Sequence, residues 1–358
     1  VKIAYILPAF PDLYKSPSGH LRPYHFIREL AKCHSITLFA LTSGEISSEA
    51  RADMKGWTEQ ALTFDLNGGK LPSRNRAVRA WRARQAVKNM KRSFAEVTGR
   101  QSFDVVLFQG KHTFPVIANC KLPVVVDFCD ATSYRMRQSM RYAGIADLPW
   151  RSLRYLEVKH FEKKLLRKSQ HRAFISGRDR QAILGDKDSS KLVANGIDLE
   201  FWTRKTNAPQ ANCMVYTGVM EYPPNADGAL YLIREILPLV RKSVPDVKLF
   251  IVGRNPSAAL KEAARTHPEV TVTGYVDDMR PYLEQASVYV APLRFASGMQ
   301  NKLLEAMAMQ VPVVTTPIGA HGIQIDGAKE LPVRVSQSPF QFANAVIELM
   351  NDQHECSR

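Results

Sequence analysis

The sequence predicts two doubly wound α/β domains in tandem, facing each other across a cleft. Short β-branched apolar runs alternate with longer helical stretches, the pattern of βαβ units and parallel sheets. The alternation occurs twice, on either side of a polar stretch without periodicity. The chain has 358 residues, 45% of them hydrophobic and 23% charged, which suits two buried cores and excludes disordered or collagen-like structure. In such folds ligands lie at the carboxyl ends of the strands.

In the first series, strands are expected at Lys2–Leu7, Ile36–Leu41, Val105–Phe108, Val124–Phe128 and Ala173–Ser176. Helices are expected over Pro23–Lys32, within Arg76–Val97 and within Arg151–Ser169. From Lys191 to Asn212 the chain turns polar, with Asn195-Gly196 and then an aperiodic Thr203–Asn212, and reads as a linker. The second series places strands at Met214–Thr217, Lys248–Val252, Val270–Thr273, Val288–Ala291 and Val311–Thr315, most of them closed by Gly or Pro. Ser338-Pro339 followed by Gln341 starts a last helix. The expected layout is a first domain over 1–190, a linker over 191–212, a second domain over 213–338 and a terminal helix over 339–358. No repeat of solenoid type is present.

Charge divides along the same line. Lys+Arg number 49 against 34 Asp+Glu; residues 201–358 hold 15 of each, so the whole net +15 falls in residues 1–200. Such a field draws anionic partners: nucleic acid, anionic lipid or phosphorylated substrates. Zinc-finger, helix-turn-helix and RNA-binding aromatic patterns are missing, which argues against nucleic acid. Five cysteines with no C-x-x-C pair suit a reducing compartment and argue against structural zinc or a disulfide framework. No apolar run approaches the ~20 residues of a membrane span, and Ile3 to Phe10 reads as a first strand, not a signal peptide.

The densest chemical signal is Ala291–Pro317: a strand, a Ser-Gly loop, a helix and the next strand. A helix starting near Met299 to Asn301 aims free backbone N–H groups, those of Gly298, Met299, Gln300 and Asn301, at whatever lies above the sheet. Lys302 adds charge there, and Glu305 is placed to reach two vicinal hydroxyls, as a nucleotide ribose beside its diphosphate requires. The same spacing also describes a surface helix in which Lys302 pairs with Glu305 at i, i+3.

This segment, with Asn195–Phe201 before it and Gly253, Gly274 and Gly319 around it, resembles the retaining glycosyltransferases of the GT-B fold, the glycosyl transferases group 1 family known for a Glu-x7-Glu motif. The similarity extends over nearly the whole chain. It is strongest to exopolysaccharide-associated sugar transferases, which share the Tyr222-Pro-Pro-Asn225 turn, the run Gly298–Ala308, and Asp127-Phe-Cys-Asp130 followed by Arg137-Gln138. The resemblance implies that Glu305 binds the nucleotide ribose, that the backbone around Tyr275 and Val276 reads the base, and that Gly218 lies at the donor site. It also implies a retaining, metal-independent transfer in which the departing diphosphate helps to deprotonate the acceptor.

Three positions depart from the family. Its first motif Glu, which contacts the donor sugar, falls on Ser297; Ser297 with Gln300 also has the form of a capping box. The Arg and Lys that usually hold the diphosphate fall on Val219 and Pro224, so Arg254, Arg294, Lys302 and backbone amides are expected to carry that charge. In the first domain the loop Ser16–His25 follows strand one; Gly19 there allows close backbone approach, and Arg22 or His20 adds charge or hydrogen bonds, His20 being equally readable as a solvated loop residue. Asp127 and Asp130 end a strand at the cleft edge, where a carboxylate orients an acceptor hydroxyl or takes its proton; capping of the next helix is the other reading of Asp130. Cys129 reads as a small buried hydrophobe rather than a nucleophile.

Between Lys70 and Arg100 the only acid is Glu96, and Val78, Trp81, Gln85 and Lys88 recur at helical spacing, so a Trp81 edge is flanked by arginines. A second basic stretch runs from Trp150 to Lys168. These suit an anionic membrane surface and equally a solvated helix face. Two functions follow as expectations. One is a cytoplasmic transferase, peripheral on the inner face of the plasma membrane, moving a sugar from a UDP- or GDP-linked donor to a lipid-linked or oligosaccharide acceptor without a separate cofactor. The other is a non-enzymatic relative of that fold, binding anions or membrane within a glycan-synthesis complex.

Overall fold

The structure, a computed structural model, describes residues 1–14, 17–71, 73–185, 190–205, 209–323 and 331–351. They group into two compact units. The first holds Val1–Cys129, Leu156–Phe174 and the stretch ending at Val193; the second holds Asp130–Tyr155, Ile175–Gly185 and the chain from Ala194 onward.

The first unit is built on a parallel sheet of β1 (Lys2–Leu7), β2 (Ser35–Thr42), β3 (Gln60–Asp65), β4 (Val105–Phe108), β5 (Val124–Phe128), β6 (His171–Phe174) and β7 (Lys191–Leu192). The order is β3-β2-β1-β4-β5-β6-β7, reversing direction of growth beside β1. The central strands are apolar on both faces because both are covered: Ile3, Tyr5, Leu7, Ile36 and Leu38 share one core cluster with Tyr24 and Ile27 of the helix Pro17–Ala31.

The second unit carries β8 (Cys213–Thr217), β9 (Lys248–Val252), β10 (Val270–Gly274), β11 (Val288–Ala291), β12 (Val313–Thr315) and β13 (Arg334–Val335), parallel in the order β10-β9-β8-β11-β12-β13. Its core includes Tyr216, Leu249, Ile251, Val290 and Val314. The helix Pro339–Asn351 lays Phe342, Val346 and Leu349 on that core at i, i+4, i+7. Its start is the expected capping box: Gln341 N–H donates to Ser338 Oγ at 3.2 Å, and Ser338 N–H to Gln341 Oε1 at 3.3 Å.

All ten expected strands are present within two residues. The unforeseen ones are β3, β7 and β13, which are edge strands with partly or wholly exposed residues and no apolar run. β7 lies inside the stretch read as linker. The first helix begins at Pro17 rather than Pro23, because Pro at a helix start loses no hydrogen bond and presets φ. The Gly19–His20 segment is therefore helical, not a loop. Among the described residues no helix is long and apolar enough to cross a membrane.

Candidate functional site

Three glycines stand at the carboxyl ends of neighbouring strands in the second unit. Thr217 of β8 pairs with Val252 of β9, so Gly218 and Gly253 follow side by side; Gly274 ends β10 next to them, and its carbonyl accepts from Gly253 N–H at 3.2 Å. A Cβ on Gly253 would fall 1.8 Å from the carbonyl oxygen of Gly218, and one on Gly218 would fall 2.6 Å from Asn225 Nδ2. No side chain fits between these backbones, and the strand ends form a bare floor.

The helix Asn301–Ala308 rises from the loop after β11 beside this floor. Its Leu303 and Ala306 face the core, which turns Glu305 inward as well. Glu305 is 7% exposed, and its carboxylate has no hydrogen-bond partner among the described residues. Burial raises its pKa to about 7, opposed by Lys302. Lys302 does not pair with it. The ammonium donates to Asn225 Oδ1 at 2.5 Å, approaches the Thr217 carbonyl at 3.4 Å and lies 4.7 Å above the Tyr216 ring. Burial lowers its pKa to about 7, opposed by Glu305. The surface-pair reading thus gives way to two inward groups with separate surroundings.

At the start of this helix the backbone N–H groups of Met299, Gln300, Asn301 and Lys302 donate to no acceptor among the described residues. Asn195 of the Asn-Gly motif holds the first helical side chain, its Nδ2 donating to Asn301 Oδ1 at 2.8 Å. Gly298 N–H, expected to be free, is taken by both oxygens of Asp179 at 3.1 Å. The Gly298 carbonyl accepts from Arg178 Nη2 at 3.2 Å, and Arg178 Nη1 donates to the Ile318 carbonyl at 3.0 Å. Asp179 is fully buried and also accepts from Ala131 N–H and Ser176 Oγ. Gly298 itself has φ +67°, open to glycine with least strain.

Ser297 is not a helix cap. Gln300 occupies that position, and its Nε2 donates to the Ser297 carbonyl at 3.1 Å. Ser297 Oγ donates to Asp130 Oδ2 at 3.0 Å, while Thr132 Oγ1 donates to Asp130 Oδ1 at 2.6 Å. Asp130 makes no backbone cap for the helix Thr132–Ser139. Tyr222 closes the group: burial pushes its phenol up to about 12, with Asp130 adding to the rise and Arg135 and a Ser297 hydrogen bond opposing it.

Two expected cations differ in availability. Arg294 is engaged by Asp227 through two hydrogen bonds of 2.8 and 2.5 Å and lies between the rings of Tyr142 and Tyr231. It is a braced ion pair rather than a free anion ligand. Arg254, directly after Gly253, is exposed and its guanidinium has no partner among the described residues. Tyr275 is exposed and Val276 half-buried, just beyond the end of β10. The whole forms a glycine floor, a row of free amides and an inward carboxylate one turn beyond them: donors for an anion beside an acceptor for hydroxyls.

Residues 211–352 match the family described as glycosyl transferases group 1. Anabaena HepE in complex with UDP-glucose is similar in structure, at 12% identity and a TM-score of 0.64, over 99% of this chain and 91% of that one. So is a mutant of S. aureus TarM in complex with fondaparinux, alpha-GlcNAc-glycerol and UDP, at 11% identity and 0.62, over 100% and 94%. The fold is GT-B. Among curated proteins, an uncharacterized 44.6 kDa protein in the cps region of Klebsiella pneumoniae is 25% identical over 130 residues. The match covers 34% of this chain, and the chain spans about a third of the length of that relative.

The first GT-B unit holds the remaining expected residues. Arg22 donates to both oxygens of Asp127 at 2.7 and 2.8 Å and to the Val193 carbonyl at 2.6 Å; Gln109 Nε2 also donates to Asp127. The Asp127 side chain is wholly buried and that of Arg22 nearly so. The pair expected to meet ligand is therefore closed on itself, because a buried carboxylate needs this compensation. Behind it the Tyr5 hydroxyl is buried with no hydrogen-bond partner among the described residues, its pKa raised by burial and by Asp127. Beyond their helical backbone, Gly19 and the His20 side chain lie outside the described residues. Cys129 is exposed rather than buried, being one residue past the end of β5. Among the described residues no group of three or more His, Cys, Asp or Glu is placed to hold a metal ion.

Arg178 and Asp179 went unseen in the sequence, although Ser176-x-x-Asp179 has the form of a helix cap. Ser176 does cap the helix Gly177–Leu184, and the two charged side chains then reach a loop more than a hundred residues away.

Proposed function

We propose that this chain is a retaining glycosyltransferase that moves a sugar from a UDP- or GDP-linked donor onto a lipid-linked glycan acceptor in surface polysaccharide synthesis. The observation that carries the reading is Glu305, a buried carboxylate with no hydrogen-bond partner among the described residues, one turn along a helix whose first amides donate to no acceptor among them. In this reading Glu305 accepts from the ribose hydroxyls, the amides from Met299 to Lys302 bind the diphosphate, and Tyr275 and Val276 border the base. The family match over residues 211–352 supports it, and UDP-glucose bound in HepE supports a UDP-linked donor. The cps-region relative accords with a surface glycan.

Catalysis then rests on position and charge. The amides, the field of Lys302 and the free Arg254 stabilise the departing diphosphate without a metal ion, and that diphosphate takes the acceptor proton on the same face of the sugar. The concentration of the net +15 in residues 1–200 supports peripheral attachment to the inner face of the plasma membrane, as do Trp81 and Trp150, 61% and 65% exposed among arginines.

The test is thermal stability against UDP, GDP, ADP, dTDP and CDP, with Glu305→Ala alongside. A ligand at 100 times its Kd adds ~2.7 kcal/mol. One nucleotide is expected to stabilise the wild type and not the variant. A folded wild type indifferent to all five would sink the reading.

A further inference from the structure

The first unit's sheet ends in an open trough. Side chains alternate along a strand, and on the face of β3 turned to the helix Ser48–Trp57 stand Ala61 and Thr63. Their ladder partners, Leu38 and Ala40, share one core cluster with Ala50 and Met54 of that helix. Ala61 and Thr63 are too small to fill the same depth, and both stay exposed. The space left beneath the helix has a volume of about 280 Å³.

Its lining is divided. Arg51, Met54, Lys55 and Thr58 wall it at i, i+3, i+4 and i+7, and buried Phe10 and Met54 give it an apolar floor. Thr63, Glu59 and Gln60 add a hydroxyl, a carboxylate and an amide. Arg51 and Lys55 are exposed, and their side chains make no hydrogen bond or ion pair among the described residues. The carboxylate between them, Asp53, is engaged elsewhere, accepting from the Tyr14 and Tyr24 hydroxyls at 3.1 and 2.6 Å. Glu59, four residues past Lys55, does not pair with it either. A fatty chain needs an apolar tube, which the polar wall denies it. A sugar suits every part: its C–H face lies on the floor, its hydroxyls bond the wall, and an acidic group on it meets two unpaired cations.

We propose that this trough binds an anionic sugar, bearing a carboxylate or a phosphate, within the acceptor glycan. The inference rests on the transferase reading above and deepens it by naming the acceptor's chemistry. Position supports it. Phe10 follows β1, and its N–H donates to the Leu41 carbonyl of β2 at 2.7 Å, so one end of the trough lies at the carboxyl ends of the strands, where ligands of such sheets sit. Gln60 lies at the other end, where β3 begins. From Thr63 to Gln60 the trough follows β3 for about 10 Å, so a glycan reacting at the strand ends lays an earlier unit along the sheet edge. The net +15 of residues 1–200 draws the same sign of ligand.

Methyl NMR on the full chain reads the trough through Met54, its signal assigned by its loss in Met54→Leu. The probes are a disaccharide of glucuronic acid and N-acetylglucosamine, glucose 6-phosphate, neutral diacetylchitobiose, inorganic phosphate and decanoate. A saturable shift is expected with one or both anionic sugars, the disaccharide marking a uronic acid and the sugar phosphate a phosphorylated unit, and none with the neutral sugar or inorganic phosphate. Arg51→Gln with Lys55→Gln is expected to weaken that binding roughly tenfold, the loss of a charge-assisted hydrogen bond. Ala61→Phe, which fills the trough and keeps both cations, is expected to abolish it. Both variants should bind nucleotide as the wild type does, which shows that they fold. An equal response to inorganic phosphate, saturation by decanoate alone, or silence with every probe overturns the inference and leaves the donor reading standing. A wild type that takes the anionic sugar but none of the nucleotides overturns the transferase reading and, with it, the assignment of the sugar to an acceptor.

Discussion

Lys302 and Glu305 lie three residues apart on one helix, yet the ammonium bonds Asn225 and the carboxylate bonds nothing among the described residues. Both are held inward at a cost, since burial opposes the charged form of each. Glu305, with its pKa raised to about 7, binds a proton in the folded state between pH 4.5 and 7 that the unfolded chain has released. Its contribution is therefore present below about pH 4.5 and lost as pH rises through 7. Glu305→Gln is expected to stabilise the ligand-free protein at pH 8 by roughly 3 kcal/mol and by less than about a third of that at pH 5. Urea unfolding at the two pH values checks it; equal effects at both would contradict the burial argument.

Lys302 acts with the opposite slope. Its pKa, lowered to about 7, means that the unfolded chain binds the extra proton between pH 7 and 10.5, so the folded state gains stability as pH rises across that window. Lys302→Met is expected to flatten this rise. A wild-type curve without a minimum near neutrality would show that the two groups are better solvated than their burial implies.

The floor makes a sharper geometric prediction. Gly253→Ala drives a methyl into the Gly218 backbone, 1.8 Å away, and is expected to cost several kcal/mol, roughly 3 or more. Gly274→Ala has φ +72° but open space around it, so about 1 kcal/mol of backbone strain is all it should lose. Thermal melts of the two variants side by side distinguish packing from strain.

Reading forward from sequence succeeded where one segment carries its own reason. β9 and β11 are short apolar runs because both faces are covered, and Lys302 and Glu305 sit on a helix whose start is set by the loop before it. It failed where the reason is distant. Arg294 looked like a free cation until Asp227, 67 residues away, was found against it, and Arg22 until Asp127, 105 residues away, closed on its guanidinium. β3 escaped because an exposed edge strand has no need of an apolar run. Charges that neutralise each other in space leave no mark on local spacing.

Arg22 and Asp127 define a prediction about stability. Breaking one partner of a buried pair leaves the other charge uncompensated and typically costs about 3–5 kcal/mol. Asp127→Ala is expected to fall in that range, while Arg22→Met with Asp127→Leu together should cost less than Asp127→Ala alone. A double-mutant cycle in urea reads the coupling directly. Near-zero coupling would mean that water reaches the pair.

The exposed aromatic residues predict membrane binding. Full-length protein is expected to sediment with vesicles containing phosphatidylserine or cardiolipin at ~0.15 M salt, and far less with neutral phosphatidylcholine. Trp81→Ser and Trp150→Ser together should weaken the binding, since Trp side chains sit well at the interface. Indifference to anionic vesicles would remove the membrane from the proposed function and leave the donor site unaffected.

Arg178 and Asp179 hold one residue by both of its peptide groups, the carboxylate on Gly298 N–H and the guanidinium on its carbonyl. If that clamp presents the four free amides after it, loosening it should weaken nucleotide binding without touching any group that meets the nucleotide. Asp179→Asn removes the charge but retains one acceptor oxygen for Gly298, so affinity for the preferred nucleotide diphosphate is expected to fall about three- to tenfold. Asp179→Ala, which leaves that N–H buried and bare, should lose more and also lower the melting temperature. Arg178→Lys reaches one carbonyl where the guanidinium reaches two and is expected to fall between them. Calorimetric titration alongside thermal melts separates the effects: a variant that loses stability but binds as tightly as the wild type would show that the clamp supports the fold alone.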